Sequence, residues 1–192
     1  VGITVDDAYR SVFVNGWPVL KAAGLPFTLF VSTDPVDKAS AGETDDYMTW
    51  DQVRELAAAG VTIGNHTVAH LHMAGADPAR NRRNIEAAAA RFQEKLGLKP
   101  TLFAYPYGEA SLAAIRLVAE MGFAAAFGQY SGAIGRDTNR YYLPRFALNE
   151  TYGDLKRFSL VIGTLPLSVT DETPADPLLG ADNPPAIGFS VR

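Results

Sequence analysis

Short apolar runs and helical periodicities alternate along the first two thirds of the chain. Residues 1–5 (VGITV) form a β-branched apolar run that stops at Asp6 and Asp7, which predicts a buried strand with two carboxylates at its C-terminal end. Residues 9–23 carry a helical distribution of apolar positions, broken or restarted near Trp17 by Asn15, Gly16 and Pro18 and closed by Gly24. Residues 26–31 (PFTLFV) read as a second strand, and the polar, acidic stretch 33–46 as a loop overhanging a site. Asp51 is the expected N-cap of a helix with Val53, Leu56 and Ala57 on one face, ended by Gly60. A third strand is predicted at 61–64.

The strongest periodicity lies at 78–96, where Ile85, Ala88, Ala89, Phe92 and Leu96 recur at helical spacing before Gly97. A strand at 101–104, a helix at 112–121 and a strand at 124–127 follow. This order predicts an α/β fold of parallel strands covered by helices, in an open sheet or an (α/β) barrel. In both architectures sites form at the C-terminal ends of the strands. Beyond Gly163 the pattern changes to a proline-rich stretch with alternating apolar residues and no helical period. The domain reading is therefore one α/β unit at 1–163 and an extension at 164–192, irregular or β-rich, that could begin an accessory β domain.

Composition narrows the chemistry. The 192 residues, 47% apolar and 20% charged, suffice for one sizeable core. A formal charge of −4 with no concentrated Lys or Arg run offers no field for nucleic acid or an anionic membrane. Cysteine is absent, so any metal must take His and carboxylate ligands. No apolar stretch approaches the roughly 20 residues that span a bilayer, and no signal-peptide pattern opens the chain. Because it starts at Val1 inside a predicted strand, the expectation is a piece of a longer protein.

Adjacent carboxylates at a strand end repel unless a cation or hydrogen-bond donors offset the charge. Along an extended segment their side chains alternate, so one of Asp6 and Asp7 can bind a metal while the other faces an attacking water. His66 and His70, four residues apart after the third strand, share a face if the segment coils as a helical turn; with an Asp they make a two-His, one-carboxylate set. His72 is out of phase with both and reads as a surface or loop residue. In FAYPYG (103–108), Pro106 stiffens the chain, Gly108 permits a turn, and Tyr105 and Tyr107 could line a sugar site.

TVDDAYRS at 4–11, GNHTVAH at 64–70 and FAYPYG at 103–108, in this order and each at a predicted strand end, resemble the first three motifs of the polysaccharide deacetylases of carbohydrate esterase family four. GLPFTLFV and MTWDQVRELAAAGVTIGNHT are similar to the family's linking text, and the resemblance extends to about Ala147. It implies a distorted (β/α) barrel that releases acetate from an N-acetylated polysaccharide or oligosaccharide of N-acetylglucosamine type. It implies one divalent metal ion, usually Zn2+ with Co2+, Ni2+ or Fe2+ as substitutes, on Asp7, His66 and His70. Asp6 would be the general base, the backbone N–H of Tyr107 an oxyanion donor, and Tyr105, Pro106 and Tyr107 substrate-binding. An extracytoplasmic location is implied by the resemblance alone.

The sequence departs from the family in two places. The Arg that commonly opens the third motif and orients the base is replaced by Ala104, and Arg145 in LPRF is the expected substitute. The late His that serves as general acid is missing, all histidines lying between 66 and 72; in relatives with a permuted motif this acid stands on the N-terminal side of the first motif, so it is expected upstream of Val1. Two other readings remain open at this stage: a related hydrolase of a non-sugar amide or imide, and a carbohydrate-binding homologue without turnover.

Overall fold

The structure, a computed structural model, describes residues 1–181 and 183–191. Five parallel strands, β1 (Ile3–Asp6), β2 (Phe27–Val31), β3 (Thr62–Asn65), β4 (Leu102–Ala104) and β5 (Ala125–Phe127), form one sheet in the order β1-β2-β3-β4-β5. Strand order equal to chain order, with a helical crossover between neighbours, winds the sheet in one sense toward a barrel. The sheet curls strongly: Phe30 of β2 and Phe127 of β5 lie on non-adjacent strands, yet their ring centroids are 5.4 Å apart across the concave side. Gly64 of β3 leaves the room for this, because a Cβ there would overlap the Phe30 ring. Leu143 pairs in parallel with Phe127, so a rudimentary sixth strand extends the curl toward β1.

The helices cover the outside. The predicted break near Trp17 is a π-helical turn, Val12–Gly16, running into α1 (Trp17–Ala22). Residues 33–46, expected to be a loop, contain α2 (Thr33–Ser40). Its first turn tolerates Pro35 because the N–H that proline lacks has no intrahelical partner there. Val36 and Ala39 are buried, and the Ser40 hydroxyl accepts the Trp50 N–H at 2.8 Å. α3 (Trp50–Ala58) is capped by Thr49, not by Asp51: Thr49 and Gln52 form a reciprocal capping box, and Asp51 sits in the first turn.

α4 (Pro78–Leu96) matches its expected bounds, with Asp77 as cap and Gly97 left-handed at φ 68°. α5 (Leu112–Glu120) is capped by Ser111. An unanticipated α6 (Leu155–Ile162) follows Asp154, whose carboxylate accepts the Arg157 N–H. Beyond it, β6 (Val169–Thr173) and β7 (Gly188–Val191) pair antiparallel, and Asp176 accepts the Leu112 N–H at the start of α5.

One core cluster packs Leu29, Val31, Trp50, Val53, Leu56 and Phe92 beneath β1–β3. A second packs Ile85, Phe103, Tyr105, Ile115, Val118 and Phe123 beneath β4 and β5. Rigid packing on the outer face holds the C-terminal strand ends in place, and the chemistry-bearing residues lie there.

Candidate active site

Asp6 ends β1, and the chain then turns through two left-handed residues, Asp7 (φ 74°) and Ala8 (φ 61°). For residues with a Cβ this conformation costs about 1 kcal/mol or more each and persists only where surroundings enforce it. Here it sends the two carboxylates to different partners, so their divergence comes from a turn rather than from extended alternation. Asp6 meets Arg145, which donates to both of its oxygens at 2.7 and 2.8 Å. Asp7 faces the histidines: its Oδ1 lies 3.4 Å from His66 Nε2 and 3.3 Å from His70 Nε2.

The histidines do not share a helical turn. After β3 the chain runs as an irregular loop with Thr67 (φ 70°) and His70 (φ 50°) left-handed, and these reversals bring the imidazoles to a centroid separation of 4.8 Å. The loop is tied on several sides. Asn65 accepts the Thr67 N–H, Asn84 of α4 accepts the Val68 N–H, the Ser32 hydroxyl donates to the His66 carbonyl, and the Thr33 and Asp34 N–H groups at the start of α2 donate to Thr67 and Val68. The GNHT motif offered Asn65 as a signal; Asn84 had none.

His66 is fully buried and its Nδ1 stands 2.7 Å from the carbonyl oxygen of Ala104. A carbonyl only accepts, so Nδ1 carries a hydrogen, and Nε2, which faces Asp7 and His70, is the nitrogen left to ligate a cation. Burial pushes the Asp7 carboxyl up, but the hydrogen bond from His66 and the charges of His66, His70 and Arg145 outweigh it and hold the group below its ordinary value. Burial, with the charge of His66, pushes His70 down, against the opposing pull of Asp7 and Asp6. Both shifts favour the deprotonated forms of Asp7 and His70 in which a ligand binds metal. One atom of each lies within 4.8 Å of the others. Two imidazole nitrogens and a carboxylate oxygen, one imidazole oriented by a backbone carbonyl, suit a divalent cation of the zinc type.

Arg145 reaches Asp6 from the far edge of the curled sheet. Its side chain, 12% exposed, also donates to the carbonyl of Gly128 at 2.7 Å and to the Thr4 hydroxyl of β1 at 3.1 Å. The guanidinium thus bridges the segment after β5 to β1, 5.7 Å above the Phe30 ring. Ala104, where the motif lacks its arginine, is buried.

The expected sugar-facing trio separates. Tyr105 is fully buried against Phe103 and Tyr142, its hydroxyl donating to the Tyr141 carbonyl at 2.9 Å, and burial pushes its pKa far up. It is a core residue and cannot stack on a sugar; Pro106 is buried as well. Tyr107 is left-handed (φ 59°) and half exposed, its ring 4.5 Å from that of His70. Gly108 follows at φ 69°, where a Cβ would overlap the Gln129 backbone. His72 is exposed, as expected, yet lies at the site: its ring stacks on Tyr107 at 4.0 Å and 12°, and its Nδ1 is 2.8 Å from Glu109. On the other side, Tyr9 stacks on Tyr47 at 4.9 Å, and its hydroxyl is pushed up to about 12 by the hydrogen bond with Tyr47 and by burial. Glu109, Thr4 and Tyr47 carried no sequence signal for these positions.

Among the described residues no helix is long and apolar enough to cross a membrane. The chain is 26% identical over 143 residues to the Bacillus subtilis (strain 168) protein YxkH, named for polysaccharide deacetylase, a match covering 74% of this chain and 49% of that protein. It is 27% identical over 170 aligned positions to the poly-β-1,6-N-acetyl-D-glucosamine N-deacetylase of Escherichia coli (strain K12), covering 69% of this chain and 25% of that enzyme. The chain thus spans about half the length of the first relative and a quarter of the second. The Streptococcus pyogenes deacetylase PplD, solved in complex with acetate, shares the fold at a TM-score of 0.76 and 19% identity, over 85% of this chain and 70% of that one. The family model for polysaccharide deacetylase matches residues 1–126, from β1 into β5, and the chain belongs to the polysaccharide deacetylase family.

Proposed function

We propose that this chain is a metal-dependent hydrolase that removes N-acetyl groups from a polysaccharide or oligosaccharide of N-acetylglucosamine type, leaving acetate and a free amine. The observation that carries the reading is the division of labour between adjacent carboxylates: Asp7 joins His66 and His70, while Asp6 is gripped by Arg145 and left out of that set. Family membership and the named substrate of the Escherichia coli relative support the carbohydrate class.

Asp7, His66 and His70 would hold the cation, zinc by the chemistry of the donors, and when bound it would supply Lewis acidity to the acetyl carbonyl and to water. The chain's own residues do the rest. Asp6 takes a proton from the attacking water, and the bidentate guanidinium fixes which way its oxygens point. Arg145 thus stands in for the motif arginine that Ala104 replaces. The backbone N–H of Tyr107, held in a tight turn by Pro106 and Gly108, donates to the carbonyl oxygen as charge develops on it. Half-exposed Tyr107 offers a face to the sugar.

The test is acetate release from β-linked N-acetylglucosamine oligomers by the protein, stripped of metal and reloaded with Zn2+, Co2+ or Ni2+. Metal-dependent release that Asp6→Asn abolishes is expected. Turnover of small imides alone would move the protein to a non-sugar substrate, and oligosaccharide binding with no rate difference between wild type and Asp6→Asn would make it a binding homologue.

A further inference from the structure

Tyr107 occupies a left-handed backbone position and carries a half-exposed ring that meets the His70 ring at 4.5 Å. Two further groups hold this ring and its turn. The His72 ring lies parallel on Tyr107 at 4.0 Å and 12°, close enough for offset stacking. His72 is itself anchored: its Nδ1–H donates to Glu109 at 2.8 Å, and Glu109 stands two residues beyond Tyr107 at the end of the same turn. The turn at 105–109 therefore grips His72 twice, once by a ring face and once by a carboxylate. Because His72 follows His70 by two residues, this grip couples the turn to the loop that carries two of the three candidate ligands.

We propose that His72 and Glu109 are positioning residues: together they clip the Tyr107 turn to the His66–His70 loop and hold the Tyr107 N–H in register with the cation site. The inference rests on the proposed deacetylase reading for its effect on rate, but not for the clip itself. An exposed polar contact alone contributes little; the stack makes this one directional, and a misplacement of about 1 Å at a reacting centre costs up to about 100-fold in rate. The clip works through ring contact and one hydrogen bond.

The experiment uses zinc-loaded protein and the variants His72→Ala, His72→Phe and Glu109→Ala. Readouts are kcat and KM on N-acetylglucosamine oligomers, zinc affinity by chelator competition, and the 15N order parameter of the Tyr107 amide. His72→Ala is expected to lower kcat about tenfold, the rate equivalent of one aromatic contact, with KM and zinc affinity nearly unchanged. The Tyr107 order parameter should fall from about 0.85 toward 0.6. His72→Phe keeps the stack and should restore most of the rate and the order; Glu109→Ala should fall between.

A rise in KM at constant kcat would make His72 a substrate contact and overturn the clip, as would His72→Phe being as slow as His72→Ala. If the wild-type protein releases no acetate, the deacetylase reading fails by itself. The order parameter then decides alone, and an unchanged value in His72→Ala refutes the clip.

Discussion

Removing Arg145 withdraws four hydrogen bonds at once: two to the Asp6 oxygens at 2.7 and 2.8 Å, one to the Gly128 carbonyl at 2.7 Å and one to the Thr4 hydroxyl at 3.1 Å. The Arg145 and Asp6 side chains are 12% and 18% exposed, so water replaces these contacts only in part. A hydrogen bond to a charged group contributes about 1.5–3 kcal/mol, and breaking a buried pair costs about 3–5 kcal/mol because it strands the partner. Partial exposure places Arg145→Ala at the low end, about 2–3 kcal/mol. For a domain of this size that lowers Tm by roughly 5–10 °C. Arg145→Lys keeps the charge but not the planar fork and should recover about half of the loss. On the proposed reading activity should suffer more than stability, because an Asp6 free to rotate loses its aim: kcat should drop about 100-fold, within the range contributed by a positioned base. Zinc affinity should change far less, since Arg145 makes no contact with the ligand atoms. Thermal melting, steady-state kinetics and chelator competition on the three proteins give the comparison. An Arg145→Ala protein melting within about 1 °C of wild type and keeping more than half of kcat would refute the reasoning.

Other outcomes follow from the same geometry. Asp7→Ala removes one of the three proposed ligands and should weaken Zn2+ binding by at least about 100-fold, beyond what loss of an outer partner does; an unchanged titration would remove Asp7 from the set. Tyr105→Phe deletes the 2.9 Å bond to the Tyr141 carbonyl and should cost about 1 kcal/mol in urea unfolding while leaving KM for oligosaccharide unchanged, whereas a raised KM would return Tyr105 to the sugar site. The pH dependence of the metal-free protein has a definite sign. His70 is held below its ordinary value, so as pH falls through that value the unfolded chain takes up the proton first and stability drops. Asp7, also held low, adds a further loss only below the ordinary carboxylate value. Tm should therefore decline from about pH 7.5 to about pH 5, and His70→Gln should flatten that slope.

Much of the fold is legible in the sequence because its signals are local. Asp77, Pro78 and Gly97 mark both ends of α4 within one turn of chain, and a 19-residue apolar stripe leaves no other period. The strands emerge within one or two residues, since short apolar runs bounded by turn residues suffice to define them. α2 escapes the same reading: its few apolar positions stand among acidic residues and a proline, and its helix is tied to Trp50 ten residues further on through Ser40. Asp6, Asp7, His66 and His70 stand out as candidates by residue type and strand-end placement, but not by geometry. They meet through left-handed turns at Asp7, Thr67 and His70, a conformation that non-glycine residues adopt only under tertiary constraint.

Tyr105 and Tyr107 show the limit most clearly. They share one side-chain chemistry and lie two residues apart, yet one is core and the other rim, because φ reverses at Tyr107. Arg145 meets Asp6 across 139 residues of chain, and only the curl that brings Phe30 against Phe127 makes that reach possible. The sequence by itself determined the elements and the inventory of reactive groups, since propensity, capping and periodicity act over a few residues. Which groups meet was decided by the tertiary structure, because closing the sheet sets distances that no local preference encodes.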